Sequence, residues 1–493
     1  MQTARVMRRF RRARPAPSWS LADDLRAALA PDRVQEGPAS RTLFARDASV
    51  FADGRVGVVC FPETAGEVQA VVQAARRHGV AFVARGAGTG LAGGAVPCGE
   101  PVVVVTTRMN RVLDVDVANR RAWVEPGVVN LDLSRHLAGT GLHFAPDPSS
   151  QQSCTIGGNI ANNAGGPHCL AYGVTSQHVL ALEVVLPSGD LVVLGGPEPE
   201  PPGLDLRGAF VGGEGTLGIA TKVLVRLTDD PPAVRTMLID FADVADAGAL
   251  VSAVIAAGVT PAAIEMMDRR VVQAVEPFVH AGYPVDAAAV LIVELDGLPG
   301  GVAAASEIVE RLAAEHHATG LRVASDDAER ALIWKGRKSA FGAIARIKPN
   351  YYLHDTVIPR TRLVQVLGQI YEIADRHDLL VMNVFHAGDG NLHPLLVYDG
   401  REPGVLDRVH RAGAEIVEAS LAAGGALSGE HGIGLEKIKF MERMFSPADL
   451  DAQRRLRDVF DPDGASNPGK VLPMGASCAD IQGLRAMPDG AWV

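Results

Sequence analysis

The chain has 493 residues, too many for one hydrophobic core, so two or three domains are expected. It is 47% hydrophobic and 21% charged with a net charge of −10, which fits a globular fold and excludes nucleic acid as a general partner. No apolar run approaches the ~18 residues that a membrane helix needs.

In chain order, six arginines fall within the first fourteen residues, without the apolar stretch of a secretory signal. Residues 1–40 therefore read as a flexible basic tail and lead-in, with a partner-docking or membrane-surface arm as the alternative. Residues 58–86 read strand–helix–strand. Thr64 and Glu67 suggest a capping box there, Val68, Val71, Val72 and Ala75 form an apolar stripe, and Gly79 follows the last turn. Strands are predicted over 101–107, 111–116, 121–127 and 180–195, and the doublet DDPP at 229–232 marks a boundary. Beyond it, strands at 236–242 and 287–297 each lead into a helix, which suggests two β–α units and a sheet covered on one face. A long helix is predicted over 326–346, a strand over 351–358 and helices over 361–376 and 404–423. Five scattered cysteines, with no C-x-x-C, point to a reducing compartment and away from an iron–sulfur cluster.

The 53 glycines cluster in loops. RGAGTGLAGG (85–94) is followed by a further strand, so it is neither a Rossmann turn nor a Walker A loop. Its unhindered N–H groups suit a diphosphate nest, and a plain glycine turn is the alternative. PDPSSQQSCTIGGNIANNAGG (146–166) and VGGEGTLGIAT (211–221) repeat the pattern between strands. Three such loops in order favour a large ligand lying against backbone. In VFHAGDGNLHPLLV (384–397), Asp389-Gly390 signals a two-residue hairpin loop. That register sets His386 directly opposite His393, close enough to share a metal ion. A solvated polar pair is the commoner arrangement for an arbitrary pair of hairpin histidines.

RGAGTGLAGG, PDPSSQ, CTIGGNIANNAGG, GGEGTLGI, HAGDGNLHP, SGEHGIGLEK and NPGK, in this order, resemble the FAD-linked oxidases of the vanillyl-alcohol oxidase type. Among these, the resemblance over roughly 40–475 is to the 2-hydroxyacid dehydrogenases of the glycolate oxidase D-subunit group. The resemblance implies an α+β fold: a PCMH-type FAD-binding domain of two α/β subdomains over 41–230, an antiparallel-sheet cap over 231–424, a C-terminal segment returning to the flavin over 425–475, and a tail over 476–493. It also implies roles. Arg85, Gly86, Ala87, Gly88, Thr89 and Gly90 would wrap the FAD diphosphate. Pro148, Ser149, Thr155, Gly158, Asn162 and Gly165 would line the adenosine and isoalloxazine path. Glu214, Gly218, Ile219 and Asn467 would complete the pocket. No histidine lies in the first loop, so FAD is expected to be non-covalent, His168 being the only nearby candidate for a link.

The same resemblance makes His386, His393 and Glu430 ligands of a divalent ion, zinc or manganese or iron. His431 would be the base and Arg337 the grip on the substrate carboxylate; an exposed helix cation paired with an acid is the alternative for Arg337. The implied reaction is oxidation of glycolate, or D-lactate, to the 2-oxo acid with hydride transfer to FAD. A D-lactate dehydrogenase, a D-2-hydroxyglutarate dehydrogenase and a flavin-free His₂Glu zinc hydrolase are the competing readings. Electrons would pass to a second flavin subunit and an iron–sulfur subunit of a glycolate oxidase complex, at the cytoplasmic face of the membrane.

Overall fold

The computed structural model describes residues 20–50, 54–200 and 202–473. The arginine-rich start and the 476–493 tail lie outside the described residues. The chain divides into two compact units, residues 1–164, 174–229 and 430–493 forming the first, and 165–173 with 230–429 the second.

The first unit contains two main sheets. In one, Val58–Cys60, Val102–Val105 and Phe82–Arg85 run parallel, with Val34–Gln35 antiparallel on the edge. Helices Leu21–Ala28 and Ala65–His78 bury Leu25, Val68, Val71 and Val72 in the core that Val102 and Val104 share. The lead-in is thus folded from Ser20, whose side chain caps the first helix with Asp23 in a reciprocal box. At Thr64 only half the box forms. Its hydroxyl accepts from Glu67 N at 3.2 Å, but the Glu67 carboxylate turns to the Glu63 N–H and to Arg33.

The other sheet is antiparallel, in the order Val112–Asp116, Arg121–Val124, Ile219–Arg226, Val179–Val185, Leu191–Gly195. Period-2 alternation directs Ala122, Val124, Leu182, Val184, Val223 and Val225 to one core, which Leu133, Ile156 and Phe210 close.

The second unit is built on an antiparallel sheet ordered Ala318–Val323, Ala233–Phe241, Ala289–Gly297, Ala263–Asp268, Leu380–His386, Asn391–Leu392, Thr356–Val357. Pro394–Tyr398 also pairs with Leu380–His386, and Asn350–Leu353 pairs with Pro394–Tyr398. Helices cover both faces, not one. Val290 and Ile292 share a core with helices Arg269–Val279 and Asp327–Ile344. Leu291 and Val293 are equally buried and point the other way, where helices Val244–Ala256 and Pro299–Glu315 pack. The near-continuous burial of Ala289–Gly297 is the signature of a strand covered on both sides. The β–α unit formed by Ala263–Asp268 and Arg269–Val279 was not anticipated from sequence, and the strand expected over 351–358 breaks at His354-Asp355.

Candidate active site

Within the first unit the three glycine loops converge with the C-terminal segment. Arg85 ends its strand buried, with its guanidinium 5.4 Å from the Phe44 ring centroid. Burial pulls its pKa below arginine's usual value, against the pull of Asp47. Its Nη1 is buried without a hydrogen-bond partner among the described residues. An orphaned donor at the head of a glycine loop suits an anionic group such as a diphosphate. Gly86 comes so close to the second loop that a Cβ would stand 2.3 Å from Thr155 Oγ1. Thr155 in turn caps helix Ile156–Asn162 by accepting from Gly158 N at 3.4 Å, and Asn162 donates to the His431 carbonyl at 3.3 Å.

Glu214, in the third loop, accepts N–H bonds from Ile433 at 2.6 Å and Gly434 at 2.7 Å. Burial pushes its pKa up, and those two bonds oppose the rise. Both oxygens therefore hold the GEHGIG loop in place. Gly434 lies so tightly on the first loop that a Cβ would fall 2.0 Å from the Ala92 carbonyl oxygen. Asn467 Nδ2 ties Gly94 O (2.9 Å) to Glu214 O (2.7 Å), while its buried Oδ1 has no partner among the described residues. Ile219 begins a strand with its side chain in the core, so only its backbone faces outward, at the bend where Gly218 takes φ +136°. Pro148 is buried, and Ala87 and Ser149 are exposed. Gly165 belongs to the second unit, at the start of the excursion 165–173.

In the second unit the hairpin register differs from the expected one. His386 pairs with Asn391 and Asn383 with Pro394, so the loop is the four residues 387–390. Val384, not His386, is then opposite His393. The slip is two residues, and a two-residue slip preserves the face. The histidines still meet, as diagonal neighbours, with ring centroids 5.0 Å apart and 3% and 2% exposure. The loop is anchored from outside: Gly388 N donates to Ile264 O at 3.0 Å, and Ile358 N donates to Gly390 O at 3.0 Å.

Arg337 lies on the buried stripe of helix Asp327–Ile344, in phase with Ile333, Trp334, Ala340 and Ile344, and is 1% exposed. This excludes the exposure in the alternative reading, while the pairing with an acid is present. Its Nε donates to Glu265 Oε2 at 2.7 Å, and Glu265 Oε1 meets His386 Nδ1 at 2.7 Å. Arg337 Nη2 is buried with no hydrogen-bond partner among the described residues. Near His393, buried Asp355 holds Ser428 Oγ at 2.5 Å and the Gly429 N–H at 3.0 Å. Glu430 follows by one peptide bond. His431 Nε2 lies 3.6 Å from Glu430 Oε1.

A second buried carboxylate, Glu294, collects Arg330 through two bonds, Trp334 Nε1 at 2.6 Å, Thr236 Oγ1 at 2.6 Å and His168 Nε2 at 3.2 Å. Burial opposes its ionisation, but the bonds from His168 and Arg330 outweigh it and hold the carboxyl well below the usual range. Glu265, Asp355 and Glu294 were missed from sequence. For Glu265 and Glu294 the available signal was a glutamate flanked by apolar residues inside a strand, as in AIEMMD and AVLIVELDG.

A model of an FAD binding domain matches residues 56–195, and one of the FAD linked oxidases, C-terminal domain, matches 230–471. The chain is 45% identical over 424 residues to glycolate oxidase subunit GlcD of Escherichia coli (strain K12), covering 86% of this chain and 85% of that one. It is 31% identical over 464 residues to a D-lactate dehydrogenase of Anaerostipes hadrus, covering 90% and 95%. The fold is similar to that of 4-ethylphenol oxidase from Gulosibacter chungangensis, with a TM-score of 0.76 at 18% identity over 92% of this chain and 97% of that one.

Proposed function

Because this chain belongs to the FAD-linked oxidases, we propose that it oxidises glycolate, and D-lactate as the alternative, to the corresponding 2-oxo acid. Bound FAD supplies the hydride acceptor that no side chain can provide. The FAD-binding match sets aside a flavin-free hydrolase. The cradle fits the cofactor: the orphaned Arg85 Nη1 suits its diphosphate, and the close loop approaches at Gly86 and Gly434 leave backbone rather than side chains facing it. FAD is held without a covalent link, since the first loop has no histidine and His168 Nε2 faces Glu294.

The observation that carries the reading is the buried Nη2 of Arg337, which has no partner among the described residues. A buried donor without an acceptor is costly, and the carboxylate of a hydroxy acid satisfies it with a charge-assisted bond. His431 takes the hydroxyl proton. His386, His393 and Glu430 hold a divalent ion, zinc, manganese or iron, whose Lewis acidity would lower the hydroxyl pKa to suit a modest base. The donors fit such an ion: two buried imidazoles have their rings 5.0 Å apart, and Nδ1 of His386 faces a carboxylate, which leaves Nε2 for the metal.

A monocarboxylate is favoured over 2-hydroxyglutarate. A distal carboxylate needs a second cation, and the matching strand Asn350–Leu353 offers Leu353, which packs with Tyr351 against the apolar core. Lys348 pairs with Glu402 at the surface at 3.2 Å, and Lys338 is exposed, so neither supplies the cation. Electrons leave through a second flavin subunit and an iron–sulfur subunit, with the chain itself peripheral to the membrane. The GlcD relative is named as a subunit, and among the described residues no helix is long and apolar enough to cross a membrane.

The test is anaerobic flavin bleaching by glycolate, D-lactate and D-2-hydroxyglutarate, with and without chelator. Bleaching fastest with glycolate or D-lactate, and slowed by chelator, is expected. A clear preference for the dicarboxylate, or full bleaching of metal-stripped protein, would overturn the corresponding part.

A further inference from the structure

Glu265 lies at the centre of strand Ala263–Asp268 and is 1% exposed. Its Cα partner across the sheet is His386. One oxygen meets His386 Nδ1 and the other accepts from Arg337 Nε, each at 2.7 Å. A single buried carboxylate thus bridges a proposed metal ligand and the proposed substrate grip, which lie 121 and 72 residues further along the chain.

We propose that Glu265 is a positioning residue that aims both groups. The inference rests on the His₂Glu and Arg337 assignments above. A carboxylate has only acceptors, so it requires the proton of neutral His386 to sit on Nδ1. That leaves the Nε2 lone pair as the ligand atom. By taking Arg337 Nε, the same carboxylate fixes the plane of the guanidinium and so the position of Nη2, which has no partner among the described residues. Tautomer, ring orientation and guanidinium plane therefore have one common determinant.

The effect of E265Q follows from the same geometry. Arg337 can only donate, so the amide oxygen must face Arg337 and the amide NH₂ must face His386 Nδ1. The histidine proton is thereby moved to Nε2, the position that a metal requires bare. Loss of such an outer partner typically weakens metal binding about 10–100-fold.

The experiment compares full-length wild type, E265Q and H386A, each loaded with FAD and Mn²⁺ or Zn²⁺ and dialysed against graded chelator, with metal and flavin read per chain. E265Q is expected to keep wild-type flavin content and to release metal at about 10–100-fold lower chelator, with H386A as the lower limit. Wild-type metal retention in E265Q would overturn the proposal while leaving the metal reading intact. A wild type that binds no metal would overturn both. The second measurement needs no variant to fold. In metal-free wild type labelled with ¹⁵N-histidine, the His386 ring, assigned by its absence in H386A, should be protonated at Nδ1, and protonation at Nε2 would overturn the proposal.

Discussion

The two units prepare their parts of the chemistry in opposite ways. The first makes a cradle by leaving side chains out: Gly86 and Gly434 let loops approach where a Cβ would stand 2.3 and 2.0 Å from its neighbours. The second buries ionisable side chains and satisfies them in clusters around Glu265, Glu294 and Asp355. A cradle of backbone tolerates no added atoms. A cluster of buried charges tolerates no removed partner, since each remaining group is left desolvated and unpaired. Substitutions should therefore separate cofactor binding from turnover according to whether they fall on the backbone cradle or on a functional side chain.

The largest separation is expected at the proposed metal ligand His386 and the proposed base His431, the latter on the C-terminal segment of the first unit. His386→Ala should abolish metal binding and collapse turnover while flavin content, read from the visible spectrum, stays at the wild-type level. His431→Ala should keep flavin and metal and lose about 10²–10⁴-fold in kcat, the usual worth of a general base. Loss of flavin from His386→Ala would break the division of labour.

Gly434→Ala should do the reverse. Its φ of +51° and the contact with Ala92 O impose backbone strain and overpacking of about 1–3 kcal/mol each, so FAD affinity should fall about tenfold or more. Titration of apoprotein with FAD checks this, and unchanged affinity would mean that the loop contact has no part in the cradle.

Glu294→Gln should touch neither cofactor nor metal but should destabilise the protein by about 2–3 kcal/mol, the scale of hydrogen bonds to a charged group. The sign with pH follows from its depressed pKa. The contribution is fully present above the ordinary glutamate range and is lost as pH falls through the lower folded value. The stability gap between wild type and variant, measured by denaturant unfolding, should therefore shrink in acid; a gap that is constant or widens there would refute the assignment. Thr64→Ala is the smallest change expected, about 1 kcal/mol of stability from a lost helix cap with flavin and turnover unaltered, measured by the same unfolding.

The local pattern of the sequence determined much of this protein. The stripe Val68, Val71, Val72, Ala75 specified a helix, the glycine loops specified where backbone would be bare, and the ordered motifs specified the family, because each signal lies within a few neighbouring residues. His386 and His393 were also legible as a pair, since strand alternation survives a slip of two residues. Their register was not: the Asp389-Gly390 signal favours a two-residue loop, and tertiary hydrogen bonds to Ile264 and Ile358 impose a four-residue one. Nor was Glu265. An acid flanked by apolar strand residues announces a buried charge but not its partners. Those are chosen only when the sheet assembles and brings His386 across from it and the buried face of the Arg337 helix over it. Burial makes such pairing obligatory, while the identity of the partner depends on strand order and register, which are properties of the assembled sheet.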